Sequence, residues 1–229
     1  MTEKGERKSA VATGRGDDGT TGLLFGGERV PKDDPRTEAY GAIDEAIAAL
    51  GIARAELLGQ ERRGELPRVM AGLADVLLRL QRELFVAAAE LATAPGATDR
   101  QRPGVTRVSA EMVAGLDAIL AETETHVQMP HEFVVPGETR ISAALELART
   151  IVRRAERRAV TVRRAEPLTD DRLVPYLNRL ADLLWVLARA AEQGEARSAT
   201  PSRTGGRQRS GSPGRESGGS GPAGAGSGA

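Results

Sequence analysis

Arg149-Thr150-Ile151-Val152-Arg153-Arg154-Ala155-Glu156-Arg157-Arg158 reads as a helix with its charges in an unusual place. At about 100° per residue, Ala148, Ile151, Val152, Ala155 and Ala159 fall on one face, and Arg149, Arg153 and Glu156 gather at its border. The segment Tyr176-Leu177-Asn178-Arg179-Leu180-Ala181-Asp182-Leu183-Leu184-Trp185 repeats the arrangement. There Leu177, Leu180, Leu184 and Leu187 form a core stripe, and Asn178, Asp182 and Arg189 line its flank. Both helices set polar groups beside the apolar stripe, where helices meet, instead of opposite it. Cations and an amide on such an edge suit an anionic ligand or a polar subunit interface.

Composition narrows the fold class. The 229 residues allow one good-sized domain or two small ones. Hydrophobic residues make up 40% but aromatics only 3%, so the core has to be Ala, Leu, Val and Ile. That favours close-packed helices over a sheet, which draws on aromatic and β-branched residues. The formal net charge of +0 gives no global attraction to nucleic acid or to an anionic membrane. Without cysteine, the chain has no disulfide, thiolate metal site or cysteine nucleophile. His126 and His131 are its two histidines, too few for a multi-histidine metal site. No apolar run approaches the ~20 residues of a membrane span. Residues 1–10 are polar and lack an apolar signal core. A soluble cytoplasmic protein is the expectation.

Residues 1–10 are expected to be disordered and 11–36, rich in Gly, Thr and Asp, to form an ordered loop. Five helices follow. The first runs from Asp34 or Pro35 to Leu58, with Gly59 and Gly64 bracketing a loop. The second covers Leu66 to Ala92 and the third Thr106 to Glu122. A short extended piece, 131–137, ends in the Pro136-Gly137 turn. The fourth helix spans Thr139 to Arg164. The fifth runs to Ala191 from Asp171, or from Pro175 if the proline marks its true start. From 194 to 229, Gly, Ser, Pro, Ala and Arg replace the apolar period, and a disordered tail is expected. The fold class is all-α: a five-helix up-down bundle with antiparallel neighbours.

Three features outside the two helices bear on chemistry. Thr13-Gly14-Arg15-Gly16-Asp17-Asp18-Gly19-Thr20-Thr21-Gly22 is rich in glycine, which frees backbone N–H groups to turn inward on a phosphate. It is not a Walker loop, because Thr20 stands where the lysine belongs. By itself such a loop is more often a plain surface loop. Asp44 shares a helical stripe with Tyr40, Ile47, Ala48 and Gly51. It needs a cation or hydrogen bonds there, unless it is a boundary residue reaching water. Phe133, one of three phenylalanines, reads alone as a core plug.

Taken together the segments resemble the PduO-type ATP:cob(I)alamin adenosyltransferases, in order from Thr13 to Arg189. The pieces are Gly16-Asp17-Asp18-Gly19-Thr20-Thr21, Gly27-Glu28-Arg29-Val30-Pro31-Lys32-Asp33-Asp34-Pro35-Arg36, Tyr40-Gly41-Ala42-Ile43-Asp44-Glu45 and Phe133-Val134-Val135-Pro136-Gly137, followed by the two helices quoted above. Three positions depart from the family pattern. The loop starts Thr13-Gly14-Arg15-Gly16, with its cation displaced by one. Ala46-Ile47 replaces Leu-Asn, and Glu146 stands where a histidine is common.

The resemblance implies a homotrimer whose active sites lie between subunits, in a domain spanning 11–193 with 11–36 as nucleotide-binding loop. It implies ATP contacts from Thr13, Gly14, Arg15, Gly16, Thr20, Thr21 and Lys32 of one subunit. Arg153, Arg154, Ala155, Glu156, Arg157 and Asn178 of its neighbour complete that set. It further implies an interface salt bridge between Asp44 and Arg149, and Phe133 beneath the corrin ring. Mg²⁺ accompanies ATP, a reductase supplies electrons, and a cobalamin-dependent enzyme receives the product. The 5′-deoxyadenosyl group would pass from ATP to cob(I)alamin with loss of triphosphate. Cobalt(I) is itself the nucleophile, so a chain without a Ser/His/Asp set is expected. The protein's part is positioning and stabilising the leaving charge, with Arg153 and Phe133 as catalytic residues. The competing reading is a non-catalytic trimer of the same fold that carries or senses ATP or a corrinoid.

Overall fold

The computed structural model describes residues 11–166 and 171–192. The expected disorder of 1–10 and of 194–229 concerns residues outside this range. A two-stranded antiparallel ribbon, β1 (Thr20–Thr21) and β2 (Val30–Pro31), precedes five helices. These are α1 (Pro35–Arg63), α2 (Leu73–Ala92), α3 (Ala110–Glu124), α4 (Arg140–Ala165) and α5 (Leu173–Glu192). The all-α five-helix bundle is confirmed.

The helix ends follow local chemistry. Asp34 caps α1, its carboxylate accepting from the Arg36 N–H at 2.8 Å, and Pro35 fills the first turn. The helix runs five residues past the expected Leu58, through Gly59, and stops at Gly64 in the left-handed conformation (φ 69°). Gly59 is tolerated because one interior glycine costs only about 1 kcal/mol, less than the packing of a long helix returns. α2 begins later than expected, at Leu73, because Pro67 leads into the 3₁₀ turn Arg68–Met70. α3 likewise waits for Ser109, whose hydroxyl accepts from Met112 N–H. Residues 131–137 join no strand.

Thr139 and Ser142 form a reciprocal capping box at the start of α4, at 3.0 and 3.1 Å. Removing the hydroxyl in Thr139→Ala is expected to cost about 1 kcal/mol. Urea denaturation checks it; an unchanged midpoint would mean that the start of α4 is held by packing alone.

α1 packs on α2 and α4, α4 on α5, and α5 on α3. Direction follows from the cross-helix pairs. Arg154 meets Glu45 and Arg158 meets Glu38, so α4 and α1 run antiparallel. Glu156 meets Asn178 and Glu146 meets Arg189, so α4 and α5 do too. Small residues let α1 and α4 pack closely: Ala39, Ala42, Ala46 and Ala53 of α1 and Ala148, Ala155 and Ala159 of α4 are all buried in the core. Tyr176 is the one fully buried aromatic among the described residues, its hydroxyl donating to Glu83 at 3.0 Å.

At the N-terminal end of α1, buried ion pairs tie three helices together. Arg36 donates to the carbonyls of Leu91 and Thr93 at 2.9 and 3.0 Å and pairs with Glu166. Glu90 accepts from the Val108 N–H and pairs with Arg163; burial pushes its carboxyl up, against the pull of those partners. The N-terminal loop is stitched to this end through Leu24, which bonds Ala92 and Ala94 along the backbone.

Candidate active site

The arginines of α4 divide between two sides. Arg154 and Arg158 reach α1 and pair with Glu45 and Glu38. Arg153 and Arg157 stand on the other side and are exposed. With Arg164, Glu156, Thr161 and the α5 residue Asn178 they line an open cavity of about 410 Å³. Among the described residues no carboxylate pairs with Arg153, Arg157 or Arg164. Arg157 donates only to the Arg153 carbonyl, at 3.1 Å. Asn178 is held by Glu156, at 3.4 Å. Three guanidiniums facing one carboxylate make the cavity strongly anion-seeking.

The N-terminal loop is compact without being buried. Asp18 Oδ1 accepts from the N–H and hydroxyl of Thr20 at 2.9 and 2.8 Å. The Thr20 backbone and then its hydroxyl hold the Asp18 carboxyl below the ordinary range, Arg29 adding to the effect. Arg29 clamps the turn, donating to Thr20 Oγ1 at 2.7 Å and to the carbonyls of Arg15 and Thr20, each at 2.8 Å. Reading the sequence passed over Arg29 as a functional residue, because a loop carries no periodicity to mark which side chain folds back. Gly14 and Gly19 adopt positive φ (70° and 78°). Gly16 is needed for a different reason: a Cβ there would lie 3.0 Å from Lys32 Nζ and 3.2 Å from the Thr20 carbonyl. Lys32 is thus laid across the glycine turn, its N–H donating to Gly19 O at 2.9 Å. Among the described residues no hydrogen bond or ion pair joins residues 13–32 to Arg153–Arg157. The two halves of the ATP set inferred from sequence stay apart within one chain.

A second cavity, also about 410 Å³, opens beside Phe133. Phe133 is 89% exposed, not a core plug. The wall opposite includes Trp185, Glu146 and Arg149. Arg149 Nε donates to Glu146 Oε2 at 2.7 Å. Asp44 is exposed and finds no cation within the described residues, so the boundary reading holds for the single chain. The flank of α5 also divides: Asp182 is exposed and Asn178 half-buried, whereas Arg189 is 2% exposed.

Comparison with known proteins places these features. The family model described as cobalamin adenosyltransferase matches residues 11–191. A corrinoid adenosyltransferase of Citrobacter freundii is 37% identical over 80% of this chain and 94% of its own length. The corrinoid adenosyltransferase PduO of Salmonella typhimurium is 36% identical over 80% of this chain, which spans only 50% of that relative's length. Two solved structures from Lactobacillus reuteri share the fold. A phenylalanine-to-histidine variant of a PduO-type ATP:corrinoid adenosyltransferase, complexed with cobalamin and ATP, has a TM-score of 0.67 and 27% identity, covering 82% of this chain and 94% of the other. An arginine-to-lysine variant complexed with ATP has a TM-score of 0.65 and 28% identity, over 79% and 93% of the two chains.

Proposed function

The chain belongs to the cobalamin adenosyltransferase family, and on that premise we propose that it transfers the 5′-deoxyadenosyl group of ATP to cob(I)alamin. The cobalt(I) lone pair forms the bond to the ribose 5′ carbon, the C5′–O bond breaks, and triphosphate leaves with that electron pair. The observation that carries the residue assignment is the α4 cavity, whose three guanidiniums meet no carboxylate partner among the described residues. Arg153 and Arg157 hold the phosphate oxygens and stabilise the charge that develops on the leaving group. Asn178, fixed by Glu156, orients the nucleotide beside them. Arg154 spans to α1 and steadies the helix from its other side. Ala155, in the core between the arginines, lets α4 approach α1 closely enough for that pairing.

The glycine loop supplies the other half. Thr13, Gly14, Arg15, Gly16, Thr20, Thr21 and Lys32 wrap the triphosphate of a nucleotide that a second copy of the chain holds on its α4. The separation of loop and arginine cavity in one chain supports a site completed between subunits of a homotrimer. Asp44, exposed and without a cation, would then meet Arg149 of another copy. Mg²⁺ travels with the phosphates. Its ligands would be mainly phosphate oxygens and water. Glu156 is the carboxylate placed to join that shell. Phe133 lies under the corrin ring and keeps a lower ligand off cobalt. A cytoplasmic setting, a separate cob(II)alamin reductase and a cobalamin-dependent acceptor enzyme complete the reading; among the described residues no helix is long and apolar enough to cross a membrane.

Mixing the protein with ATP, Mg²⁺ and chemically reduced cobalamin tests the reaction. Growth of the adenosylcobalamin absorbance is expected, whereas binding without conversion would establish a carrier. Sedimentation at micromolar concentration should give three times the chain mass; a monomer would remove the shared site. Within the loop, Gly16→Ala must displace Lys32 or the Thr20 carbonyl. Its expected effect is an ATP KM about tenfold higher, near 1.4 kcal/mol, at unchanged melting temperature. Steady-state kinetics decide this, and an unaltered ATP KM would free Lys32 of any phosphate role.

A further inference from the structure

Behind the Phe133 cavity lies a buried charged cluster to which the roles above assign nothing. Glu146, Arg189 and Glu192 are 3%, 2% and 1% exposed. Arg189 Nη2 donates to Glu146 Oε1 at 3.0 Å and to Glu192 Oε1 at 3.2 Å. The Trp185 ring lies 5.8 Å from the Arg189 guanidinium carbon. The free oxygen of Glu146, Oε2, points the other way and takes Arg149 Nε at 2.7 Å. Glu146 therefore joins a buried cation to a cation on the cavity wall. Burying such charges is costly unless each is met, and apolar residues of the same volume would usually serve stability as well or better. Among the described residues Arg189 Nε and Nη1 have no hydrogen-bond partner.

We infer that Glu146 is a positioning residue for the corrinoid side of the site: anchored from behind by Arg189, it grips Arg149 by its Nε and presents the two Nη groups at the cavity rim. This rests on the adenosyltransferase reading of the Phe133 cavity. A guanidinium held at Nε keeps its end-on edge free for a second carboxylate, such as Asp44 of another copy. Without Glu146 the Arg149 side chain regains its rotamers, and the wall facing Phe133 loosens. The effect should fall on the corrinoid and leave the nucleotide alone, because the arginine cavity is lined by a separate set of residues.

Trp185 lines the same cavity and is the chain's single tryptophan, which makes it a built-in probe. Hydroxocobalamin absorbs across tryptophan emission, so its binding is read as quenching, with no turnover required. Titrations of the full chain, of Glu146→Ala and of the near-isosteric Glu146→Gln are compared with the KM values for cobalamin and ATP. Glu146→Ala should weaken hydroxocobalamin binding and raise the cobalamin KM at least tenfold, with the ATP KM unchanged. Glu146→Gln, which still accepts a hydrogen bond from Arg149, should recover part of the loss. A lower melting temperature is expected for Glu146→Ala in either case, since Arg189 loses a buried partner; a merely structural Glu146 would move both KM values together, and that result overturns the inference, as do quenching curves that match the unaltered protein. Failure of the unaltered protein to quench at all would instead remove the corrinoid site itself. Quenching without adenosylation would leave the Glu146 result legible while refuting the enzymatic reading.

Discussion

Arg153→Ala should lower turnover by about 30- to 900-fold at saturating ATP and preformed cob(I)alamin, equivalent to roughly 2–4 kcal/mol of lost transition-state stabilisation. The argument starts from what the side chain does not do for the fold. Arg153 is exposed and pairs with no carboxylate among the described residues, whereas Arg154 one position later is committed to Glu45. Its removal leaves no buried group unsatisfied, so the melting temperature should hold. The loss would then belong to chemistry, because on the proposed reading triphosphate departs with charge that Arg153 and Arg157 meet in a fixed geometry. Arg153→Lys keeps the charge but not the planar fork, and an intermediate loss is expected. Single-turnover kinetics separate this from weakened binding. Turnover equal to that of the unaltered protein would place triphosphate elsewhere.

Phe133→Ala should produce a second large effect, and one that depends on how the cobalt is supplied. Starting from cob(II)alamin under mild reduction, a loss of at least about a hundredfold is expected, near 2.7 kcal/mol. With preformed cob(I)alamin the loss should be about tenfold. The difference is expected because, on the proposed reading, the Phe133 ring beneath cobalt excludes a lower ligand, and cobalt(II) without that ligand is easier to reduce. The structure makes the experiment clean. Phe133 is 89% exposed in the single chain, so the bundle does not need it. An electron paramagnetic resonance spectrum of bound cob(II)alamin should change from the four-coordinate to the five-coordinate form in the variant. Equal losses from both starting states would sink the role.

The fold was legible because its signal is periodic. Leu177, Leu180, Leu184 and Leu187 were placed on the core stripe of α5 by spacing alone, and all four are buried. Helix ends were less legible where packing outweighs local preference, as at Gly59, which lies inside α1. The candidate site was partly legible. Spacing put Arg153 and Asn178 on facing borders of α4 and α5, and the structure brings both to one cavity. It could not separate residues that share a border. Arg154 and Arg158 lie in the same arginine run as Arg153 and Arg157, yet they pair across to α1. Asp182 and Arg189 fall on one flank, yet only Arg189 is buried. Phe133 read as a core plug because nothing in a short extended segment tells which way a single ring turns.

The sequence by itself determined the all-α class, the family resemblance and the residue types proposed to meet phosphate, since helical spacing and motif order are properties of the chain read in one dimension. The tertiary structure alone decided which charges were already spent. Arg154 is neutralised by α1, Arg189 is buried between two glutamates, and Arg153 and Arg157 line an open cavity with no carboxylate partner among the described residues. A guanidinium's availability depends on the carboxylates that other helices bring within about 4 Å, and that distance does not exist until the bundle closes.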